Sequence, residues 1–268
     1  MTARPYETRS NGPRVVALGD SVTLGVGDGH VLEVGAGWAA HVAYALGASS
    51  FTNVAENGTR ARSLGLSQLP TVLMQRPDIV LLTVGGNDVL RGDFSPTEIT
   101  ERMVDALTRL HRPGREIVII SLDRIAAFDL LGRRVSATMA RRISRANGAL
   151  RTAIAGTQVH LVDGAEVFAR LGESAWHIDR IHPSPAGHRA LAEAALHLLS
   201  GTHSQARPIV APGSRPNLPA RAWWLTRQGL PWIAKRSRDL IPQIAQVVTH
   251  ELLEDRRAKL RSKPTIAA

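Results

Sequence analysis

Three residues that could together perform nucleophilic catalysis lie in two distant segments of this 268-residue chain. Ser21 stands in GDSVTLGVGDG (19–29), and Asp179 and His182 stand in WHIDRIHPSPAGH (176–188). A serine hydroxyl is a weak nucleophile until a base takes its proton, and histidine suits that task because its ordinary pKa lies near neutrality. A carboxylate nearby can fix the histidine tautomer and stabilise the imidazolium. The sequence therefore predicts Ser21 as nucleophile, His182 as base and Asp179 as its partner.

Acyl transfer by such a serine also needs hydrogen-bond donors that stabilise the developing oxyanion. The available donors are the backbone N–H groups of Ser21 and Gly58 and the side-chain amide of Asn87, which follow separate apolar segments. Glycine at position 58 lets the backbone approach a ligand closely. Asn57 is the alternative polar candidate in the same segment, NVAENG (53–58). We predict that Ser21, Gly58 and Asn87 form an oxyanion hole.

Other chemistries fit the same residues less well. Segment 19–29 contains four glycines, but it lacks both the Lys-Ser/Thr pair of a phosphate-binding loop and the G-x-G-x-x-G order of a dinucleotide site. The spacing of Asp28, His30 and Glu33 matches no common metal-ligand pattern, so no metal site is predicted. The chain contains no cysteine, which excludes disulfides, a thiol nucleophile and cysteine-ligated zinc.

Apolar segments of strand length alternate with amphipathic segments along the chain, which favours a parallel sheet covered by helices on both faces. In such sheets ligands bind beyond the carboxyl ends of the strands, where the candidate residues stand. The predicted strands are 14–19, 50–55, 78–86, 116–122 and 159–164, and the predicted helices are 37–47, 62–75, 95–114, 132–156 and 184–201.

Four segments in this order, GDS (19–21), the glycine of NVAENG (58), GGND (85–88) and DRIH (179–182), resemble the four blocks of the SGNH (GDSL-type) hydrolases. RPDIVLLTVGGND and DRIHPSPAGHRALAEA are similar to the lysophospholipase L1-like branch seen in actinobacteria. The resemblance covers about residues 14–200. It implies a flavodoxin-like three-layer α/β/α sandwich with a five-stranded parallel sheet.

The resemblance also implies a serine-dependent ester hydrolase with Ser21, Asp179 and His182 as its triad, the predicted oxyanion hole, and neither metal nor organic cofactor. Its substrate is expected to be a small-molecule or lipid ester, in a carboxylesterase or lysophospholipase-like reaction. The same residues would also serve an O-acyltransferase or an O-deacetylase of carbohydrates or metabolites. A non-catalytic scaffold is a further alternative from a different class.

Several neighbours of these blocks are expected to have structural roles. Asp20 and Asp88 are interpreted as loop organisers, His177 as an exposed loop residue or a wall of the cleft, and His188 as a structural residue of the last helix. Trp176 either lines an acyl pocket or fills the core.

The predicted domains are a hydrolase domain (1–201), a Pro-rich linker (202–221) and a basic, Trp-rich helical extension (222–268). Residues 201–268 contain 12 Lys and Arg against 4 Asp and Glu, and therefore carry +8 of the net charge of +10. The extension is expected to pack on its own domain or on a second subunit, or to contact an anionic membrane surface. Nucleic acid is not an expected partner. With neither a signal peptide nor a transmembrane segment in view, a cytoplasmic location is the expectation, with peripheral membrane attachment as the alternative.

Overall fold

A five-stranded parallel sheet forms the centre of the computed structural model, which describes residues 11–28, 35–203, 207–209 and 249. The strand order is β2-β1-β3-β4-β5, and every neighbouring pair is parallel. The predicted five-stranded parallel sheet is confirmed. The strands are β1 (Arg14–Gly19), β2 (Ser50–Asn53), β3 (Ile79–Thr83), β4 (Glu116–Ile120) and β5 (His160–Val162).

Helices cover both faces of this sheet and complete a three-layer sandwich. They are α1 (Ser21–Leu24), α2 (Gly37–Ala45), α3 (Ala61–Ser67), α4 (Leu69–Gln75), α5 (Gly86–Val89), α6 (Pro96–Leu110), α7 (Arg133–Ile154), α8 (Gly164–Leu171) and α9 (Pro185–Leu199), with 3₁₀ helices at Ala126–Leu131 and Gly172–Ala175. Helices α3, α4, α6 and α7 pack on one face, and α2, α8 and α9 pack on the other.

The two layers of core arise from the alternation of side chains along each strand. In β1, Val16 and Leu18 join one hydrophobic cluster, whereas Val15 and Ala17 join the other. All four are buried, as expected for a parallel strand that is covered on both faces. The centre of the sheet is therefore packed on both faces, and the candidate residues stand at its carboxyl edge.

The single helix predicted over residues 62–75 is in fact two helices, α3 and α4, separated at Gln68. Pro70 lies in the first turn of α4, where its missing N–H costs nothing, but it could not continue α3 without breaking a helical hydrogen bond. The break leaves Gln68 fully buried with its side chain turned toward the end of β1.

The predicted extension 222–268 lies outside the described residues, apart from residue 249. The predicted linker is described only at residues 202–203 and 207–209. There Arg207 donates its backbone N–H to the carbonyl of Ala45, and Ile209 packs against the core layer that contains α2. None of the helices in the described part of the chain is both long and apolar enough to cross a bilayer.

Candidate active site

The end of β1 presents Ser21 at the carboxyl edge of the sheet. Gly19 has φ +124°, and a Cβ there would lie 2.1 Å from the carbonyl oxygen of Thr83, so this bend accepts only glycine. Asp20 then caps α1 by accepting the N–H of Val22 at 3.0 Å. Ser21 is consequently the first residue of α1 and lines the cavity above the sheet.

Ser21, His182 and Asp179 are hydrogen-bonded in series. Ser21 Oγ lies 2.9 Å from His182 Nε2, and His182 Nδ1 lies 2.8 Å from Asp179 Oδ2. The other carboxylate oxygen, Oδ1, accepts the backbone N–H groups of Ile181 and His182 at 2.9 and 3.0 Å. The carboxylate is thus held by its own loop, and the structure brings the three predicted residues together.

The charge of Asp179 fixes the direction of these hydrogen bonds. Burial would raise the pKa of this carboxyl, but the hydrogen bonds from His177 and His182 hold the pKa far below its ordinary range. An ionised carboxylate only accepts, so Nδ1 of His182 carries its proton and Nε2 is the acceptor that faces the Ser21 hydroxyl. This is the tautomer that a general base needs.

The sequence predicts His177 as an exposed loop residue or a wall of the cleft, but it is partly buried and is not among the residues that line the cavity. Its Nδ1 lies 3.3 Å from Asp179 Oδ2, and its side chain is only 18% exposed. Asp179 therefore faces two imidazoles rather than one. In the sequence, the sign of this contact is that His177 and Asp179 are two positions apart. Residues in a surface loop can have the same spacing, so no periodic pattern predicts the contact. Arg180, which directly follows Asp179, has φ +56° and directs its side chain toward Glu173.

The three predicted oxyanion donors line the same cavity as Ser21. Gly58 adopts φ +84°, in the left-handed region that favours glycine. Within residues 11–28 and 35–203, no acceptor is bonded to the backbone N–H of Ser21 or of Gly58. Asn87 donates from Nδ2 to the carbonyl of Thr59 at 3.1 Å, which ties the asparagine to the glycine segment. Asn57, the alternative candidate, also lines the cavity.

Two buried aspartates organise the loops around these donors, as predicted. Asp88 Oδ2 accepts the N–H of Ala61 at 3.1 Å, and Oδ1 lies 3.3 Å from Nε of Arg60. Burial raises the pKa of Asp88. Burial also raises the pKa of Asp20 to about 7, against the hydrogen bond from Val22 that lowers it.

A buried polar cluster around Asp28 joins the loop after α1 to α2. Asp28 Oδ2 lies 2.8 Å from His41 Nε2 and accepts the N–H of Gly37, and Arg189 lies 3.4 Å from Oδ1. Burial would raise the pKa of Asp28, but the hydrogen bonds from His41 and Gly37 help lower this pKa to about 2. The part of the chain described contains no group of three potential metal ligands. His30 and Glu33 lie outside the described residues.

His188 has the structural role that the sequence predicts. Its Nδ1 accepts the N–H of Trp38 at 3.2 Å, and its Nε2 donates to the carbonyl of Val26 at 3.0 Å. Burial lowers the pKa of His188 to about 4, which keeps the ring neutral. The adjacent Gly27 lies against the histidine loop, since a Cβ there would be 2.1 Å from the carbonyl oxygen of Pro183.

A cavity of about 320 Å³ opens beside Ser21 and His182. Its polar lining includes the three proposed donors and His182, and also Asn57, Arg91 and Asp123. Most of its remaining wall is apolar and includes Leu90, Ile120, Leu122, Ile125, Phe168, Trp176 and Leu191. Trp176 packs edge-on against Phe168 with ring centroids 5.0 Å apart. Of the two predicted places for Trp176, the structure shows the pocket wall.

The parallel sheet with helices on both faces and a polar cluster at its carboxyl edge define a three-layer α/β/α protein with a site at the strand ends. The sequence model of the GDSL-like lipase/acylhydrolase family matches residues 17–190, and the chain belongs to this family. It is accordingly an ester-hydrolysing enzyme. No curated protein matches the sequence.

Solved structures support the fold assignment. An acetylxylan esterase from Geobacillus stearothermophilus, solved as a catalytic mutant, is 22% identical with a TM-score of 0.59, and the match covers 78% of this chain and 100% of that one. Another structure of an acetylxylan esterase from that organism is 23% identical with a TM-score of 0.57, covering 76% and 98%. An alpha/beta hydrolase enzyme from the metagenome of Lake Arreo, Spain, is 22% identical with a TM-score of 0.57, covering 73% and 97%.

Proposed function

We propose that this enzyme hydrolyses carboxylic esters through an acyl-enzyme on Ser21, with His182 as general base and Asp179 as the group that orients it. The observation that carries the proposal is the hydrogen-bonded series from Ser21 Oγ to His182 Nε2 (2.9 Å) and from His182 Nδ1 to Asp179 Oδ2 (2.8 Å). These distances are within hydrogen-bond reach, as proton transfer requires.

In the first half of the reaction, Ser21 Oγ attacks the ester carbonyl while its proton passes to His182 Nε2. The carbonyl oxygen becomes an oxyanion that the N–H groups of Ser21 and Gly58 and the amide of Asn87 stabilise. The bond between the acyl carbon and the oxygen of the alcohol then breaks, and His182 gives the proton to the leaving alcohol. In the second half, water loses a proton to His182 and attacks the acyl-enzyme, which releases the acid and restores Ser21.

The structural neighbours support this assignment of roles. Three structures of the Geobacillus stearothermophilus acetylxylan esterase are of catalytic mutants, in which alanine replaces an aspartate, a serine or a histidine. In that protein the aspartate precedes the histidine by three positions, the separation that Asp179 and His182 have here.

The cavity favours an acyl chain longer than acetyl. At about 320 Å³ it is within the size range of pockets that hold small-molecule ligands, and an acetyl group with its two carbons would fill a small part of it. Its wall at Phe168, Trp176 and Leu191 offers apolar surface to methylene groups. We therefore infer a carboxylesterase of lysophospholipase-like character, acting on esters of a medium-length acyl chain.

A deacetylase is the second candidate, and the likeness to acetylxylan esterases favours it. The two candidates differ in acyl-chain preference. Each buried methylene contributes up to about 0.8 kcal/mol, or about a fourfold gain in kcat/KM. A lysophospholipase-like enzyme should gain at least about tenfold in kcat/KM from p-nitrophenyl acetate to hexanoate, whereas a deacetylase should lose activity along the same series.

The test compares the wild type with Ser21→Ala on this series, with Ser67→Ala on the exposed end of α3 as the matched control. We expect Ser21→Ala to lower kcat by at least about 10³-fold and to abolish labelling by a fluorophosphonate probe. Ser67→Ala should keep the wild-type kcat and the labelling. A Ser21→Ala enzyme that is as fast as the wild type would rule out the acyl-enzyme on Ser21. Transfer of the acyl group mainly to an added alcohol, rather than to water, would instead identify an acyltransferase.

A further inference from the structure

Gln68 forms hydrogen bonds with the end of β1, where β2 no longer pairs with it. β2 pairs with β1 only as far as Asn53 opposite Ala17, so Gly19 extends past its neighbour on that side. Gln68 Oε1 accepts the N–H of Gly19 at 2.6 Å, and Nε2 donates to the carbonyl of the same residue at 3.0 Å. The side chain is 1% exposed. One buried amide thus fixes the backbone two residues before Ser21.

The same amide also reaches the glycine segment. Gln68 Nε2 donates to Thr59 Oγ1 at 2.9 Å, and Thr59 Oγ1 in turn donates to the carbonyl of Glu56 at 2.9 Å. Thr59 directly follows Gly58, and its own carbonyl accepts the amide of Asn87 at 3.1 Å. Thr59 is therefore linked to all three segments that carry the proposed oxyanion donors.

Little packing restrains Gly58 on the side where a Cβ would lie. Apart from Gly58 and its two chain neighbours, no described residue has a heavy atom within 4 Å of that position. Thr59, by contrast, is 6% exposed and has both its hydroxyl and its carbonyl in hydrogen bonds. The position of the Gly58 N–H relative to Ser21 consequently depends on what Thr59 is bonded to.

We propose that Gln68 and Thr59 form a brace that sets the spacing of the oxyanion donors at Ser21, Gly58 and Asn87. Both are positioning residues, because neither is among the residues that line the cavity. The proposal rests on the proposed function, in which these donors stabilise the oxyanion. Donors must lie within about 0.5 Å of their productive positions, and a misplacement of about 1 Å can cost about 10²-fold in rate.

Thr59→Val is the sharpest test, because it removes the hydroxyl and keeps the shape of the side chain. We expect kcat for p-nitrophenyl butyrate to fall about 10- to 100-fold and KM to stay within about twofold, since uniform substrate binding is untouched. The affinity for a trifluoromethyl ketone, whose adduct with Ser21 carries an oxyanion, should fall by the same factor as kcat. Thr59→Ser keeps the hydroxyl and should restore most of kcat.

Thr138→Val is the matched control, because Thr138 is equally buried but lies on α7 and not at the cavity. It should lower the melting temperature without changing kcat. A Thr59→Val enzyme that also loses only thermal stability would overturn the brace. Should Thr59→Val fail to fold, Gln68→Glu provides the second variant. It keeps the acceptor for the Gly19 N–H and removes the donors to Thr59 Oγ1 and to the Gly19 carbonyl, and full kcat in it would contradict the proposal.

Failure of the brace and failure of the proposed function give different results. If Ser21→Ala is inactive and Thr59→Val keeps full kcat, only the brace is wrong. If Ser21→Ala keeps full activity, the oxyanion hole on which the brace rests is wrong as well.

Discussion

Replacing Asp20 by asparagine should change how the stability of this enzyme depends on pH. Asp20 is 2% exposed, and burial raises its pKa from 3.8 to about 7. Between these two values the folded protein retains a proton that the unfolded chain has released. The stabilisation is therefore fully present below pH 4 and is lost as pH rises through 7.

The magnitude follows from the two pKa values. At 1.36 kcal/mol per pH unit, the difference between 3.8 and about 7 amounts to about 4 kcal/mol in total. About 2.5 kcal/mol of this loss falls between pH 5 and pH 8, because the unfolded chain is already mostly ionised at position 20 by pH 5. Asparagine has nearly the same shape, caps helices as well as aspartate, and carries no titratable proton.

The assay is urea unfolding of the full chain, followed by tryptophan fluorescence at several values between pH 5 and pH 8 and extrapolated to zero denaturant. We expect the free energy of unfolding of Asp20→Asn, relative to the wild type, to rise by about 2.5 kcal/mol across this range. Titrating groups that do not interact with Asp20 cancel in the difference, whereas His182 and Asp88, whose charges act on Asp20, contribute to it. The same exchange at the exposed Asp105 on α6 controls for the loss of a carboxylate. A difference between wild type and Asp20→Asn that stays constant from pH 5 to pH 8 would refute the reasoning.

Two further predictions concern the histidine loop. Asp179→Asn places an amide donor opposite the Nδ1 of His182, which favours the wrong tautomer of the imidazole. The kcat for p-nitrophenyl butyrate should therefore fall about 10³- to 10⁴-fold with little change in KM. A variant that retained a tenth of the wild-type kcat would argue against this account. Gly27→Ala should lower both kcat and the melting temperature, because the new Cβ would meet the carbonyl of Pro183. Gly156 is the control, since it has a similar positive φ but open space around it, so Gly156→Ala should lower the melting temperature alone. Equal effects of the two variants on kcat would contradict this account.

The sheet could be predicted from the sequence because its strands are continuous apolar, β-branched segments. IVLLT in β3 is buried along its whole length, and EIVII in β4 is buried after Glu116, so both carry a signal that does not depend on distant residues. The strand ends followed from that, and the rule that ligands bind beyond the carboxyl edge placed Ser21 and Asn87 together. The end of β3 was less predictable, since Gly85 at φ +106° stops the strand after Thr83.

The contacts that position these residues could not be predicted in the same way. The bond between Gln68 and Gly19 joins residues 49 positions apart, and a buried glutamine at the junction of two helices leaves no periodic trace. The contact of His177 with Asp179 depends on the turn at Arg180, a non-glycine residue with positive φ. Such contacts depend on side-chain directions that only the folded chain determines.

The need to satisfy buried backbone groups nevertheless explains why the sheet and the site are coupled. β1 extends two residues beyond its pairing with β2, and those residues deliver Ser21 to the carboxyl edge. A buried strand end must find hydrogen-bond partners. The carbonyl of Gly19 accepts the backbone N–H of Glu56 and the side-chain amide of Gln68, and the N–H of Gly19 donates to Oε1 of Gln68. Because the residues that complete the strand belong to the glycine segment and to the helix junction after it, the bonds that end β1 also fix where Gly58 lies relative to Ser21.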